Sequence, residues 1–232
     1  MIDWEDHEVW LLEKLGQFQE SKRVAFAAAC AGRALPVYIA HVERVDKDHR
    51  AGMELEQVTL ALEFVWTNLT NRKQSAGEAQ GYIRILEQII IEKEECSSPW
   101  APFDSEALYA SYSIIYSLQT YLNGNLEDAV AAARSNYNIL GYYFFETERS
   151  AVDMRDGDFR SIESVRARQR EDLLQLKTHP LMQAELGRQQ QDVMRLAAVD
   201  APASDTFVRS FREASTSMAV LPLDVLAKTS TA

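Results

Sequence analysis

The sequence predicts an all-α fold, a single-domain antiparallel bundle of about eight helices. Three observations point there. Nearly every segment repeats its apolar residues at three- and four-residue spacing, the period of an amphipathic helix. Only 9 Gly and 6 Pro occur among 232 residues, so long uninterrupted elements are expected. The connections between periodic segments are short, which favours antiparallel neighbours. The runs Ile89-Ile90-Ile91 and Tyr142-Tyr143-Phe144-Phe145 have high β-propensity, but both lie inside longer helical patterns and are read as helix.

The elements follow in order. A first helix is expected over Trp4 to Phe18, with Val9, Leu12 and Leu15 on its buried stripe. Ser21 is the expected N-cap of a second helix to Leu35, after which Pro36 kinks the chain or begins a new turn through Tyr38 and Val42. Asp46 to Gly52 reads as a charged loop. The third helix, Glu54 to Leu69, turns Leu55, Val58, Leu62, Val65 and Trp66 inward. The fourth, about Glu78 to Glu95, buries Ile83, Leu86, Ile89 and Ile90, and a Pro-Trp-Ala-Pro loop ends it. Asp104 caps the fifth, which Asn123-Gly124-Asn125 stops. The sixth runs from Leu126 to about Thr147 and the seventh from about Ser161 to Lys177, separated by a charged connection at Asp153 to Phe159. His179-Pro180 restarts the eighth, whose face uses Leu181, Leu186, Val193 and Leu196. The bundle domain is drawn at residues 1–200, leaving a weak helix over Thr206 to Ala214 and a frayed tail.

Composition narrows the function. The net charge of −11 disfavours nucleic acid and anionic membrane, since neutralising phosphates takes a surplus of Lys and Arg. It suits a basic protein partner. Between Glu78 and Asp128 nine acids face two bases, Arg84 and Lys93. No apolar run of bilayer-spanning length is read, and the acidic N-terminus is unlike a secretory signal. A cytoplasmic setting is expected. Cys30 sits in a small apolar run and is expected to be a buried free thiol, so no disulfide framework is expected.

The sequence carries no motif for chemistry. His7, His41, His49 and His179 lack the Glu-x-x-His or His-Glu-x-x-His spacing of metal-binding helices. Asp46 and His49 stand three apart in what reads as a solvated loop, and His179 before Pro180 reads as a structural turn. Cys96 follows Glu94 and Glu95, which raise rather than lower a thiol pKa. No catalytic residue, metal site or cofactor is assigned.

Several stretches carry a resemblance. Phe26-Ala27-Ala28-Ala29-Cys30-Ala31-Gly32-Arg33-Ala34-Leu35-Pro36-Val37-Tyr38 resembles the opening pattern of the YjaG-like family of small helical bacterial proteins of uncharacterised role. Leu60 to Leu69, Leu122 to Val130, and His179-Pro180 with Glu185 and Arg195-Leu196 are similar to its later helices. The likeness spans about residues 20 to 200. It implies an all-α bundle in a bacterial cytosol and supplies no catalytic residues. Within the first block, Arg33 is expected to bond carbonyls freed by Pro36.

The reading that follows is a non-enzymatic protein-binding domain, most concretely an immunity-type inhibitor of a basic bacterial toxin. Its candidate surface is Glu92, Glu94, Glu95, Trp100, Asp104 and Glu106. The alternative is an enzyme or small-ligand binder with an inter-helix pocket formed by Arg33, Tyr109, Tyr112 and Tyr116, where the tyrosines otherwise read as a core-edge stripe. A regulatory or structural homo-oligomer is the third.

Overall fold

Why this chain folds as it does is clearest in its second helix, where Val24 to Ala31 is apolar at every position. A helix that is apolar all round has to be surrounded. In the computed structural model, which describes residues 2–45, 49–69, 75–96, 104–145, 171–200 and 205–222, all eight of these residues are buried. Among the described residues there are nine helices and no strand, in one all-α domain. They are α1 (Trp4–Gly16), α2 (Glu20–Val45), α3 (His49–Thr67), α4 (Ala76–Cys96), α5 (Asp104–Asn123), α6 (Leu126–Tyr143), α7 (171–178), α8 (Pro180–Ala197) and α9 (Asp205–Thr216).

Helix α2 is the axis. It packs against α3, α5, α6, α8 and α9. Ala25, Ala27, Ala28, Ala29 and Ala31 let those neighbours come close on several sides at once. Helix α5 is the second core element, shared by α2, α3, α4 and α6, while α1 lies against α6 and α8. The segment Glu20–Glu43 is long and apolar enough to cross a membrane, which corrects the expectation that no such run exists. Most of it is covered by the other helices, so the same composition is accounted for by its central place in the bundle.

Helix ends follow local chemistry. The Asp3 carboxylate caps α1 by accepting the Glu5 N–H at 3.4 Å. At the other end Arg23 donates to the Leu15, Gly16 and Gly124 carbonyls at 2.9, 3.2 and 3.0 Å, tying α1 to the α5–α6 turn. Gly124 makes that turn at φ +64°, and a Cβ there would stand 2.6 Å from the Glu20 side chain. His179 caps α8, its Nδ1 accepting the Leu181 N–H at 3.3 Å with Pro180 in the first turn.

Several expectations change. The buried stripe of α1 is Trp4, His7, Leu11 and Leu15, while Val9 is exposed. Helix α2 begins before Ser21 and continues through Pro36 to Val45 without a break. Helix α3 starts at His49, inside the stretch read as a loop. The Asp153–Phe159 connection, the 161–170 part of the seventh helix and the loop after Cys96 lie outside the described residues.

The largest change is at the C-terminus. The weak helix exists, as α9, but it belongs to the domain. Phe211, Val220 and Leu221 are buried, and the Val220 N–H donates to the Arg33 carbonyl at 2.9 Å. That carbonyl lies in the turn where Pro36 removes one intrahelical donor. Residues 223–232 lie outside the described residues. Close approach of α9 to α2 depends on Gly32, where a Cβ would lie 2.4 Å from Thr216 Cγ2. Gly32→Ala is therefore expected to destabilise the protein by about 1–3 kcal/mol in denaturant unfolding, and Thr216→Ala to recover most of that loss in the double variant.

Candidate functional site

Polar residues inside an apolar bundle need partners, and α8 brings three to the centre. Glu185, Gln189 and Asp192 recur at three- and four-residue spacing, so they share one face, and all three are buried. Opposite them on α2 lies Arg33, with its side chain fully buried. Its Nε donates to both Glu185 oxygens at 3.1 Å, and one terminal nitrogen reaches Asp192 at 2.6 Å and the Ser215 carbonyl at 3.1 Å. The other terminal nitrogen is 3.5 Å from Cys30 Sγ.

The surroundings complete the set. Asn136 on α6 donates to Glu185 at 2.9 Å and to the Cys30 carbonyl at 3.1 Å. Gln189 donates to Glu185 at 3.0 Å and meets His7 of α1 at 2.9 Å. Ser215 of α9 donates to Asp192 at 2.6 Å, and Arg188 adds a second cation to Glu185 at 3.2 Å. Five helices thus meet at one cluster. Its inner charges, Arg33 and Arg188 against Glu185 and Asp192, balance.

Burial opposes ionisation of the Glu185 carboxyl. Arg33 foremost, then Arg188, Asn136 and Gln189, nevertheless hold it below the usual carboxylate range. Burial likewise opposes the Arg33 charge, but Glu185 and Asp192 more than restore it. Burial pushes the Cys30 thiol up, with only partial relief from Arg33, which disfavours the thiolate a nucleophile needs. His7 is held below its ordinary 6.5 by burial, with Gln189 only partly offsetting this. Chemically the cluster is closed: its cations and carboxylates satisfy one another.

The predicted site residues are dispersed. Arg33 does not bond carbonyls freed by Pro36 on its own helix, and its buried side chain is directed to α8 and α9. Its carboxylate partners come from α8 instead, because a desolvated guanidinium gains most from anions. Tyr109, Tyr112 and Tyr116 are half-buried and form a ladder with exposed Tyr142, ring centroids 5.3–6.4 Å apart. Burial pushes the Tyr109 phenol up, and Tyr142 adds to the effect. On the acidic side, Glu92 accepts a hydrogen bond from Gln88 at 2.8 Å on the surface of α4. Glu94 and Glu95 lie in the last turn of α4, and Asp104 opens α5. Glu106 is buried, which removes it from any docking face. Trp100 lies outside the described residues. Among the described residues no group of three or more His, Cys, Asp or Glu side chains is placed to hold a metal ion.

Residues 11–220 match the DUF416 family, whose description is "protein of unknown function". The chain belongs to the DUF416 family. A solved structure of a DUF416 family protein from Shewanella baltica OS155 superposes with a TM-score of 0.64 at 16% identity, covering 89% of this chain and 93% of that one. At that identity the likeness is one of fold. No curated protein matches the chain. The DUF416 match takes in Arg33, Glu185, Asp192, Ser215 and Val220, so the cluster and the α9 clasp lie inside the family region, whereas His7 lies outside it.

Alternating apolar spacing missed Glu185, Gln189 and Asp192 because acids and amides on a helix read as solvent-facing. The available signal was their own three- and four-residue spacing, in register with Met182, Leu186 and Val193. Removing one partner of a buried pair strands the other, so Arg33→Ala is expected to cost about 3–5 kcal/mol in denaturant unfolding. The pH dependence has a definite sign. Both Glu185 and His7 have folded pKa values below their ordinary 4.5 and 6.5, so the unfolded chain binds protons first and stability falls as pH falls. The thermal midpoint should begin to drop below pH 6.5 through His7, and drop further below 4.5 through Glu185. His7→Gln should remove the first slope and keep the second, which a set of thermal melts from pH 7 to pH 4 would read.

Proposed function

We propose that this chain is a non-catalytic protein-binding domain, acting as an immunity-type inhibitor of a basic bacterial toxin in the cytoplasm. The observation that carries this reading is the division of chemistry between interior and surface. The buried cluster of Arg33, Glu185 and Asp192 is internally paired and leaves no charged group directed at a substrate. The unbalanced charge lies elsewhere, where the sequence sets eight acids besides the buried Glu106 against two bases between Glu78 and Asp128. An inhibitor that works by covering a toxin needs a complementary surface and no active site of its own.

Other observations support the setting. The structural neighbour from Shewanella baltica agrees with a bacterial protein. The YjaG-like likeness rests on Phe26 to Tyr38, Leu122 to Val130 and the α8 residues His179, Pro180 and Glu185. These stretches supply Arg33, the Gly124 turn and Glu185, so the resemblance is one of packing and carries no activity. The rival pocket reading loses Arg33 to the ion cluster and retains only the tyrosine ladder.

The candidate contact surface runs from Glu92, Glu94 and Glu95 to Trp100, which the sequence places between two prolines. Carboxylates at the rim of such an interface speed encounter, while an aromatic anchor carries affinity. Trp100→Ala is expected to weaken binding to the toxin encoded in the neighbouring gene by about 2 kcal/mol, roughly thirtyfold. Replacing Glu94 and Glu95 by Lys should lower the association rate and flatten its salt dependence. Surface plasmon resonance at several salt concentrations measures both. Normally folded variants that bind like the parent would eliminate this surface, and a parent protein that binds no neighbouring product would eliminate the immunity reading.

A further inference from the structure

Between α3 and α4 lies a surface groove of about 400 Å³ whose apolar wall includes Met53, Ile85 and Ile89. Met53 is 58% exposed and Ile85 40%, so these side chains face outward rather than filling the core. Gln57 and Leu60 follow Met53 at the i+4 and i+7 positions of α3, and Leu60 is also exposed. Met53 and Leu60 therefore share one exposed face of the helix. Glu54 from α3 and Glu92 from α4 stand on its sides, with Arg84 the one basic lining residue among the described residues.

We propose that this groove receives a single basic, amphipathic helix of a protein partner. This deepens the protein-binding reading above and rests on it. Three physical points select the occupant. Two neighbouring helices leave a trough between their side-chain ridges, and a third helix fills it by the packing that builds the rest of this domain. Apolar residues at i, i+3 or i+4, and i+7 of the incoming helix would lie along Met53, Ile85 and Ile89, with Lys and Arg on its flanks. Charge complementarity sets the sign: Glu54 and Glu92 stand against Arg84 in the groove, and Glu78 and Glu87 are exposed on the same helix α4, which favours a cationic ligand.

The same points disfavour other occupants. A drug-sized ligand binds where about 70–90% of its surface is covered, and walls as exposed as Met53 and Ile85 leave one side open. A second copy of this chain would bring two molecules of net charge −11 together.

The test uses the full chain and a fluorescein-labelled synthetic helix of about 18 residues, five turns long. Leu occupies the i, i+3, i+4 and i+7 positions of the probe and Lys or Arg the remainder. A scrambled peptide of identical composition is the control. Fluorescence anisotropy at 150 mM salt, about the physiological ionic strength, should show the amphipathic helix binding about tenfold or more tightly than the scramble. Ile85→Lys and Met53→Lys should each weaken it by about tenfold with unchanged thermal melts. Val9→Lys, on α1 packed against α6 and α8, should not.

Equal binding of probe and scramble, or an Ile85→Lys variant that binds like the parent, overturns the groove. Measuring the same variants against the neighbouring toxin separates the two proposals. A toxin that binds parent and Ile85→Lys equally refutes the groove and leaves the protein-binding reading standing. A discriminating probe with no toxin binding to the parent supports the groove and refutes the immunity reading.

Discussion

A fully buried guanidinium is the constraint on which this fold turns. Arg33 sits on the helix that packs against α3, α5, α6, α8 and α9, and a charge there is tolerable only if anions and carbonyls reach it from several directions. Those groups come from separate elements: Glu185 and Asp192 from α8, the Ser215 carbonyl from α9. Each helix must therefore arrive at one register, because a shift of one residue would turn Glu185 or Asp192 away from the cation. Apolar packing supplies the bulk of the stabilisation here as in other domains. The ion cluster adds a demand on helix register that apolar packing alone does not make.

The C-terminal clasp follows from the same requirement. Helix α9 contributes only Phe211 and Ser215 as buried side chains, yet it and the residues just after it are held on α2 and α8 at several points. Ser215 bonds Asp192, Thr216 nests against Gly32, and Val220 bonds the Arg33 carbonyl. All three lie within two turns of Arg33. Without α9, Arg33 and Asp192 would each lose a partner in the interior, a penalty larger than the helix's modest apolar area suggests. That explains why an otherwise weak helix belongs to the domain and to the family match that ends at Val220.

Concentrating paired charge inside leaves the exterior free to carry a net field. Glu106 of α5 is buried, whereas Glu78 and Glu87 of α4 are exposed. Exposed apolar side chains at Met53, Leu60, Ile85 and Ile91 accompany them on α3 and α4. A surface combining a negative field with outward-facing apolar groups is suited to a cationic amphipathic partner, and this is the physical basis of both proposals.

The sequence by itself determined the all-α class, most helix positions, the Gly124 turn, the His179-Pro180 start of α8 and the buried Cys30 thiol. These depend on local periodicity and on residues with restricted backbone or capping chemistry, so they can be read from one stretch of chain. It placed Arg33 at an important position but assigned it the wrong partners, because its carboxylates are 152 and 159 residues away. It misjudged α1 by choosing Val9 over His7, since an apolar scale cannot anticipate that a histidine will be buried against Gln189. It set α9 outside the domain for the same reason. Which polar residues are interior is decided by what lies opposite them across the bundle, and only the tertiary structure brings Arg33, Glu185, Asp192 and Ser215 together.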